Sequence, residues 1–262
     1  MKDAINPRIL ETLVEHAARI NEGEPYQAKA DVLKINESEK NAWAAFLLSI
    51  ATTESIEESI ISPLLKTFAG DALVERCIDY HARDERRHHS LLSEYVQKTF
   101  SREKKTRTAS DILVYDTLLP KITSALALRP ACLLGILYFY EIFSVDFYKV
   151  LKSRAHAHDL PGLFDLLQTL EKDELRHLAC LQALMDRLPA RSLAGRISDA
   201  AFLRSTLELL LIDINPSRWA YHNRHVRKNV LTLGMDPIKM STDARKSARR
   251  ALQFINERER VA

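Results

Sequence analysis

The sequence predicts an all-α protein, and two observations lead to that fold class. Only 6 of the 262 residues are glycine, and runs rich in Val, Ile and Thr, which favour strands, are few. Apolar side chains instead recur every three to four residues along successive segments, the period of a helix with one buried face. With 46% hydrophobic and 28% charged residues, the chain can bury a large core. We expect a single helical domain over residues 1–262.

The first three predicted helices follow from their apolar faces and end signals. A short amphipathic helix spans 7–21 and ends before Gly23 and Pro25. A second helix begins at Ser38, its predicted N-cap, and its inward positions are Leu47, Ile50, Glu54, Ile61 and Leu65. A third begins at Asp71, and its inward positions are Val74, Ile78, His81, Glu85, His88, Leu92 and Tyr95. Both long helices therefore place ionisable side chains on the face that should be buried.

The second half of the chain repeats this helix pair after a long connection. Residues 100–108 predict a polar loop, and 111–128 predict two short helical pieces separated at Pro120. The helix that begins at Pro130 has the inward positions Leu134, Tyr138, Glu141, Val145 and Tyr148. The next follows Pro161-Gly162, ends by Pro189 and has the inward positions Leu163, Leu167, Leu170, Glu174, His177, Leu181 and Leu184. Accessory helices over 190–262 are predicted at about 191–212, 216–232 and 242–258.

A five-residue motif occurs once in each half of the chain. Asp-Glu-Arg-Arg-His spans 84–88 and Asp-Glu-Leu-Arg-His spans 173–177. Each copy contains Glu-x-x-His, which places a carboxylate and an imidazole one turn apart on one helix face. A single inward Glu precedes each motif Glu, 31 residues earlier at Glu54 and 33 residues earlier at Glu141. Two single glutamates and two Glu-x-x-His pairs on four helices are the ligand set of a two-metal carboxylate site in a bundle.

Six predicted metal ligands follow from this pattern: Glu54, Glu85, His88, Glu141, Glu174 and His177. An unpaired buried carboxylate costs several kcal/mol or becomes protonated, whereas four carboxylates balance the charge of two divalent cations. Mixed oxygen and nitrogen ligands suit iron or manganese, and the set contains no Cys for an iron–sulfur cluster or a structural zinc site. We expect two Fe ions, with Mn as the alternative, in a metal-binding four-helix core over residues 38–188. A metal-free scaffold whose charged faces are solvated is the other interpretation.

Residues beside the ligands predict a supporting network. A ligating His usually donates its second ring N–H to a carboxylate. In an antiparallel pair of helices, Asp84 can reach His177, and Asp173 can reach the His of the first motif. The motif arginines, Arg87 and Arg176, would neutralise these aspartates.

Three further side chains are candidates for the site. His81 lies four residues before Glu85 on the same face, and the matching position in the second copy is Leu170. It is either a hydrogen-bonded core histidine or an extra ligand or proton carrier. Tyr138 and Tyr148 lie on either side of the inward Glu of their helix. They either pack in the core or contact substrate and take part in redox chemistry.

The motifs resemble those of the ferritin-like di-iron carboxylate superfamily, in its oxygenase and oxidase branch. Residues 84–88 and 173–177 look like its two Asp-Glu-x-Arg-His motifs, and Glu54 and Glu141 match its two single-Glu helices. The resemblance implies a ferritin-like four-helix bundle with a long crossover and additional flanking helices. The p-aminobenzoate N-oxygenases of this superfamily are similar in size and have an extra His. Theirs precedes the second motif, where this chain has Leu170.

The resemblance also implies a function. Such an enzyme activates dioxygen to hydroxylate, desaturate or N-oxygenate a small or acyl-chain organic substrate, free or bound to a carrier. Since the sequence has no flavin, nicotinamide or iron–sulfur motif, electrons should come from an external reductase or ferredoxin. A ferritin- or rubrerythrin-like ferroxidase or peroxidase is the alternative. A ribonucleotide reductase radical subunit is disfavoured because Leu92 stands where that class usually has a Tyr.

Composition bears on partners and location. The net charge of +3 gives no reason to expect nucleic acid. Cys77, Cys132 and Cys180 lack the spacing of a disulfide framework or a zinc site, and we expect them to be reduced core residues of a cytoplasmic protein. The N-terminal residues lack the apolar core of a signal peptide, and the apolar run 131–140 is too short to span a bilayer, so no membrane is expected. A homodimer is left open.

Overall fold

The computed structural model describes residues 7–23, 26–101, 128–189, 192–213 and 224–257. These residues contain helices and no strand, which confirms the predicted all-α class. The helices are α1 (Pro7–Glu22), α2 (Glu37–Thr67), α3 (Ala72–Phe100), α4 (Pro130–Ala157), α5 (Pro161–Met185), α6 (Leu193–Asp213), α7 (Arg224–Thr232) and α8 (Pro237–Glu257). The predicted crossover break at Pro120 and the predicted helix start at residue 216 lie outside the described ranges.

The N-cap of α2 is Asn36 and not the predicted Ser38. The Glu39 N–H donates to Asn36 Oδ1 (2.9 Å), and the Asn36 N–H donates to Glu39 Oε2 (3.0 Å). This reciprocal capping box requires Glu or Gln three residues after the cap, which Asn36 has and Ser38 lacks. Helix α3 begins as predicted, because Asp71 accepts a hydrogen bond from the Val74 N–H (3.2 Å).

Two other positions differ from the prediction. Near the end of α2 the buried residue is Leu64, whereas the predicted Leu65 is 39% exposed. The buried face continues three residues after Ile61 instead of four, and both spacings fit a helical period. Helix α8 begins at Pro237, earlier than the predicted residue 242. Proline is favoured in the first turn of a helix, where its missing N–H has no helical acceptor.

The helices with the predicted ligands pack as two pairs. Helix α2 packs on α3 and α4 packs on α5, and the pairs meet through contacts of α3 with α5 and of α2 with α4. Helix α1 lies against α3 and α5. Helices α6 and α8 pack on α4, and α7 packs on α2. Both motifs therefore lie inside the assembly of helices.

Two hydrophobic clusters fill the bundle, one on each side of a polar layer that contains Glu54, Glu141 and the two motifs. One cluster contains the ends of α2 and α5, the beginnings of α3 and α4, and side chains of α1, α6 and α8. The other contains the beginnings of α2 and α5 and the ends of α3 and α4. Helices α2 and α5 therefore run in one direction and α3 and α4 in the other. The chain leaves α3 and enters α4 at opposite ends of the bundle.

Helix α4 is buried nearly all round in its first two turns. By length and composition, it is the one described helix that could cross a membrane, so its apolar stretch is longer than the predicted run 131–140. However, 67% of its most apolar window is buried inside the protein, as in an ordinary core helix. Its apolar character is therefore weak evidence for a membrane span.

The cysteines differ from the prediction of three reduced thiols. A disulfide joins Cys77 of α3 to Cys180 of α5, whose Cα atoms lie 6.9 Å apart. Cys132 of α4 is buried outside this disulfide, and its S–H donates to the carbonyl oxygen of Asp199 (3.3 Å). The pair is separated by 103 residues, so the pairing depends on α3 and α5 lying side by side and not on local spacing.

Candidate metal centre

The polar layer brings together seven side chains that can bind a metal ion. The first cluster consists of His81, Glu85, Glu141 and His177, and the second of Glu54, His88 and Glu174. Within each cluster the potential ligand atoms all lie within 4.8 Å of one another. Every one of these residues is at most 4% exposed. The six predicted ligands and His81 thus converge from α2, α3, α4 and α5 on one buried region.

His81 belongs to the first cluster through its Nε2 atom. This atom lies 2.7 Å from Glu141 Oε1 and 3.4 Å from Glu85 Oε1. His177 approaches the same carboxylates through Nδ1, at 3.1 Å from Glu85 Oε1 and 3.4 Å from Glu141 Oε2. The two imidazole rings stack with their centroids 3.8 Å apart. His81 therefore has the position of an additional ligand.

The motif glutamates lie between the two clusters. His88 Nδ1 lies 3.4 Å from Glu54 Oε2 and 3.4 Å from Glu174 Oε1. The other oxygen of Glu174 lies 3.2 Å from His177 Nδ1. Glu85 is placed in the same way, with Oε1 near His177 and Oε2 at 3.9 Å from His88 Nδ1. Glu85 and Glu174 therefore each direct one carboxylate oxygen toward each motif histidine.

Each motif histidine faces an aspartate of the other motif through its second ring nitrogen. His177 Nε2 lies 3.2 Å from Asp84 Oδ2, and His88 Nε2 lies 3.2 Å from Asp173 Oδ2. An aspartate that accepts the Nε2–H leaves Nδ1 directed at the glutamates. The structure thus places both aspartates where the sequence predicts them, behind the histidines.

Two arginines, the buried Arg176 and the half-buried Arg87, join these aspartates into a ring. Arg87 donates to Asp84 Oδ1 (2.8 Å) and to Asp173 Oδ2 (2.6 Å). Arg176 donates to Asp173 Oδ1 (2.7 Å) and also to Asp84. The side chain of Asn21 in α1 adds a hydrogen bond to Asp84 Oδ1 (3.1 Å). The spacing of the motifs gives no signal for Asn21, because its contact depends on how α1 packs across α3 and α5.

The charges of this ring hold its carboxylates ionised. Burial alone would raise the pKa of Asp84, but its hydrogen bond with His177 and the two arginine charges hold that pKa far below its usual range. Burial likewise opposes ionisation of Asp173, yet the pKa is lowered by His88 and the arginines. The aspartates in turn raise the pKa of Arg176 against the effect of its burial. The two aspartates and the two arginines of the ring balance each other in charge. The four glutamates of the two clusters therefore need other counter-charges.

The clustered histidines and glutamates also shift one another's pKa values. Burial lowers the pKa of His88 and of His177, but hydrogen bonds to neighbouring carboxylates outweigh it and raise both values. Burial and the adjacent His177 hold the pKa of His81 well below its usual range. The pKa of Glu174 is also well below normal, because hydrogen bonds to Glu141 and the histidines outweigh burial. In the metal-free protein, the raised pKa values of His88 and His177 favour a positive charge beside the buried carboxylates.

The donor set fits two divalent cations. Oε1 of Glu174 is buried and, among the described residues, accepts no hydrogen bond of good geometry. A polar atom in that position costs free energy unless something binds it. Two divalent cations would balance four carboxylates, and ligands made only of oxygen and nitrogen favour iron or manganese.

The two candidate tyrosines have different positions. The hydroxyl of Tyr148 is fully buried and donates to Glu54 Oε1 (2.5 Å). Tyr138 is half-buried, stacks on Phe254 of α8 with ring centroids 3.9 Å apart, and accepts a hydrogen bond from Gln182 (3.4 Å). The structure therefore does not bring Tyr138 to the clusters. It lies on the part of α4 that packs against α8.

A small cavity borders the first cluster. Side chains of α1, α3 and α5 line it, including His81, His177, Cys77 and Cys180. Its interior has room for about one water-sized molecule. The sequence did not predict this cavity, although Cys77 and Cys180 each lie about one turn from a candidate ligand.

Comparisons of the chain with protein-family models, with curated proteins and with solved structures find no match. What the chain does must therefore be inferred from the residues of this site.

Proposed function

We propose that this chain binds two metal ions, iron or manganese, between α2, α3, α4 and α5, and that it belongs to the ferritin-like di-iron carboxylate superfamily. The observation that carries the proposal is the convergence of seven buried oxygen and nitrogen ligands from four helices. The helix directions support a ferritin-like bundle with a long crossover. The chain leaves α3 and enters α4 at opposite ends of the bundle, as such a crossover requires.

The two metal positions would be unequal. Residues His81, Glu85, Glu141 and His177 would hold one ion, and Glu54, His88 and Glu174 the other. Glu85 and Glu174 are placed to serve both. The two positions would differ because the two halves of the chain differ at one position: the counterpart of His81 in the second half is Leu170.

A bound pair of iron ions would supply electrons to dioxygen. The chain itself supplies orientation, because the ring of aspartates and arginines fixes each motif histidine with Nδ1 toward the glutamates. The hydrophobic clusters on both sides of the polar layer surround the site with packed apolar side chains. Tyr148 holds a proton at Glu54 Oε1.

We infer that the protein is an oxygen-activating oxidoreductase. Seven side chains shared by two metal ions would leave coordination positions for a small co-substrate, and a small cavity borders His81 and His177 on this side of the site. The chain would oxidise a small or acyl-chain organic substrate by hydroxylation, desaturation or N-oxygenation. An external reductase or ferredoxin would supply the electrons.

A ferroxidase or peroxidase is the second candidate, and the size of the cavity favours it. The cavity beside the first cluster has room for about one water-sized molecule and none for an organic substrate, which a ferroxidase or a peroxidase does not need.

Metal analysis tests the proposal. Protein purified from iron-supplemented medium should contain about two metal ions per chain, and Glu85→Ala should lose most of this metal because it removes a bridging carboxylate. Glu94→Ala is the matched control, because Glu94 lies on the same helix and pairs with Lys98 at the surface. A wild-type content below about one ion per chain, with no effect of Glu85→Ala, would contradict the metal assignment.

Single-turnover reactions distinguish the two candidates. The reduced, iron-loaded protein is mixed with dioxygen in the presence of candidate amines, acids or acyl carriers. An oxygenase forms an oxidised organic product and needs external electrons for a further turnover. A ferroxidase continues to oxidise added Fe(II) beyond the ions bound to each chain, without an organic substrate.

A further inference from the structure

Cys77 and Cys180 form a pair outside the ligand set. They face each other across α3 and α5, with Cα atoms 6.9 Å apart and their sulfurs joined in a disulfide. Both are buried, at 6% and 3% exposed. A Cα separation of this size lies just below the distance at which two cysteines can no longer be joined without backbone movement. The pair therefore joins α3 directly to α5, with one cysteine on each helix.

The position of the pair relates it to the candidate metal centre. Cys77 precedes His81 by four residues, and Cys180 follows His177 by three residues, so each lies about one helical turn from a candidate ligand. All four side chains line the same small cavity. Cys132 differs, because its S–H donates to a backbone carbonyl oxygen and it is not among the residues that line this cavity.

We propose that Cys77 and Cys180 are a redox-active pair that delivers two electrons to the metal centre. This inference depends on the proposed metal-binding function. The dithiol loses two protons and two electrons as the sulfur–sulfur bond forms. Two metal ions accept one electron each and pass from the +3 to the +2 state. An external dithiol then reduces the disulfide by thiol exchange and is itself oxidised to a disulfide.

The surroundings favour redox chemistry over a purely structural cross-link. A bond that only joined α3 and α5 would serve as well anywhere along their contact, and the ring of Asp84, Asp173, Arg87 and Arg176 already joins these helices. The cysteines instead border the cavity that reaches His81 and His177, next to the cluster that contains the additional histidine. Electrons and the released protons have only a short distance to travel there.

Thiol counting tests this inference. Wild-type protein is reduced with dithiothreitol, desalted without air, loaded with about two Fe(II) per chain, and exposed to dioxygen. After denaturation, free thiols are labelled with a maleimide and mapped by mass spectrometry. The labelled count should fall from three to one, with Cys77 and Cys180 cross-linked and Cys132 labelled. The metal-free and Zn(II)-loaded proteins should keep all three thiols over the same time.

Two variants separate the pair from the third cysteine. Cys132→Ser should behave as wild type and lose both remaining thiols. In the double variant Cys77→Ser/Cys180→Ser, bound iron should stay ferric after a pulse of dioxygen is removed, whereas in wild type a chelator should detect recovered Fe(II). The double variant must still contain iron for this comparison.

The outcomes that overturn the inference are distinct from those that overturn the proposed function. Equal thiol loss in the zinc and iron proteins would show a disulfide that forms independently of the metal. Iron-loaded protein that keeps three thiols would show that the cysteines do not donate electrons. With either result, the protein would still contain about two metal ions per chain, and the proposed metal-binding function would stand. A chain that binds no metal would instead refute both proposals.

Discussion

Replacing Asp84 with Asn removes one charge from the ring while keeping the shape of the side chain. Asp84 is fully buried and accepts hydrogen bonds from Arg87 (2.8 Å), Arg176 and Asn21 (3.1 Å), and it faces His177. In the variant, two guanidinium groups share a single carboxylate. Removing one partner of a buried ion pair costs about 3–5 kcal/mol. An Asn oxygen still accepts one or two of these hydrogen bonds, so we expect a loss of about 3 kcal/mol in the metal-free protein.

The assay is urea denaturation of the metal-free protein, followed by circular dichroism near neutral pH. Asp79→Asn is the control, because Asp79 lies on the same helix and pairs with Arg83 at 2.9 Å with both side chains about half exposed. That substitution should cost less than about 0.5 kcal/mol. An Asp84→Asn loss that equals the loss of the control would refute the interpretation of the ring as a buried ion-pair network.

The same variant makes a prediction for acid pH. The ring lowers the pKa of Asp84 in the folded protein below its value in the unfolded chain. Its contribution to stability is therefore fully present above the unfolded pKa of about 3.9 and is lost as the pH falls toward the folded value. The stability difference between wild type and Asp84→Asn should shrink below about pH 4. A difference that grows in acid would contradict the assigned sign.

Three further substitutions test other parts of the structure. In a metal titration, His81→Ala should lower the affinity of one metal position and leave the other occupied. The control His89→Ala should leave both positions intact, because it removes only a hydrogen bond to a backbone carbonyl outside the clusters. Tyr148→Phe removes a hydroxyl that donates to a ligand carboxylate, and it should change the electronic spectrum of the Co(II)-substituted protein while costing roughly 1 kcal/mol of stability. Asn36→Ala should cost about 1 kcal/mol in urea denaturation through loss of the N-cap, whereas Ser38→Ala should be nearly neutral.

The grouping of the candidate ligands in one layer could be predicted from the sequence because its signals are local. A Glu and a His three residues apart lie on one helix face wherever the helix packs, so each motif fixes the relative position of its own two ligands. The pairing of Asp84 with His177 needs only one more assumption, that α3 and α5 run in opposite directions. The hydrophobic clusters of the structure show those opposite directions. The structure places the two side chains together.

Other features depend on contacts that local spacing does not encode. Asn21 reaches the ring only because α1 crosses α3 and α5, and the disulfide forms only because Cys77 and Cys180 face each other across two helices. Tyr138 lies three residues before Glu141 and Tyr148 lies seven residues after it, so a helical period places all three on one face. Nevertheless, Tyr138 packs against α8, whereas Tyr148 lies in the polar layer. A helical period predicts the helix face on which each side chain lies, but it does not predict which neighbouring helix packs against that face.

The departure from internal symmetry gives the proposed centre two chemically different sides. The first cluster has the extra His81 and borders the cavity together with the cysteine pair. The second cluster has one histidine and the buried hydroxyl of Tyr148. A water-sized molecule that enters through the cavity would therefore reach the ion beside His81 first, while the proton held by Tyr148 lies at the other ion. In the proposed centre, the repeated motif would supply nearly equivalent ligands, and the residues that differ between the two halves of the chain would determine where small molecules, electrons and protons arrive.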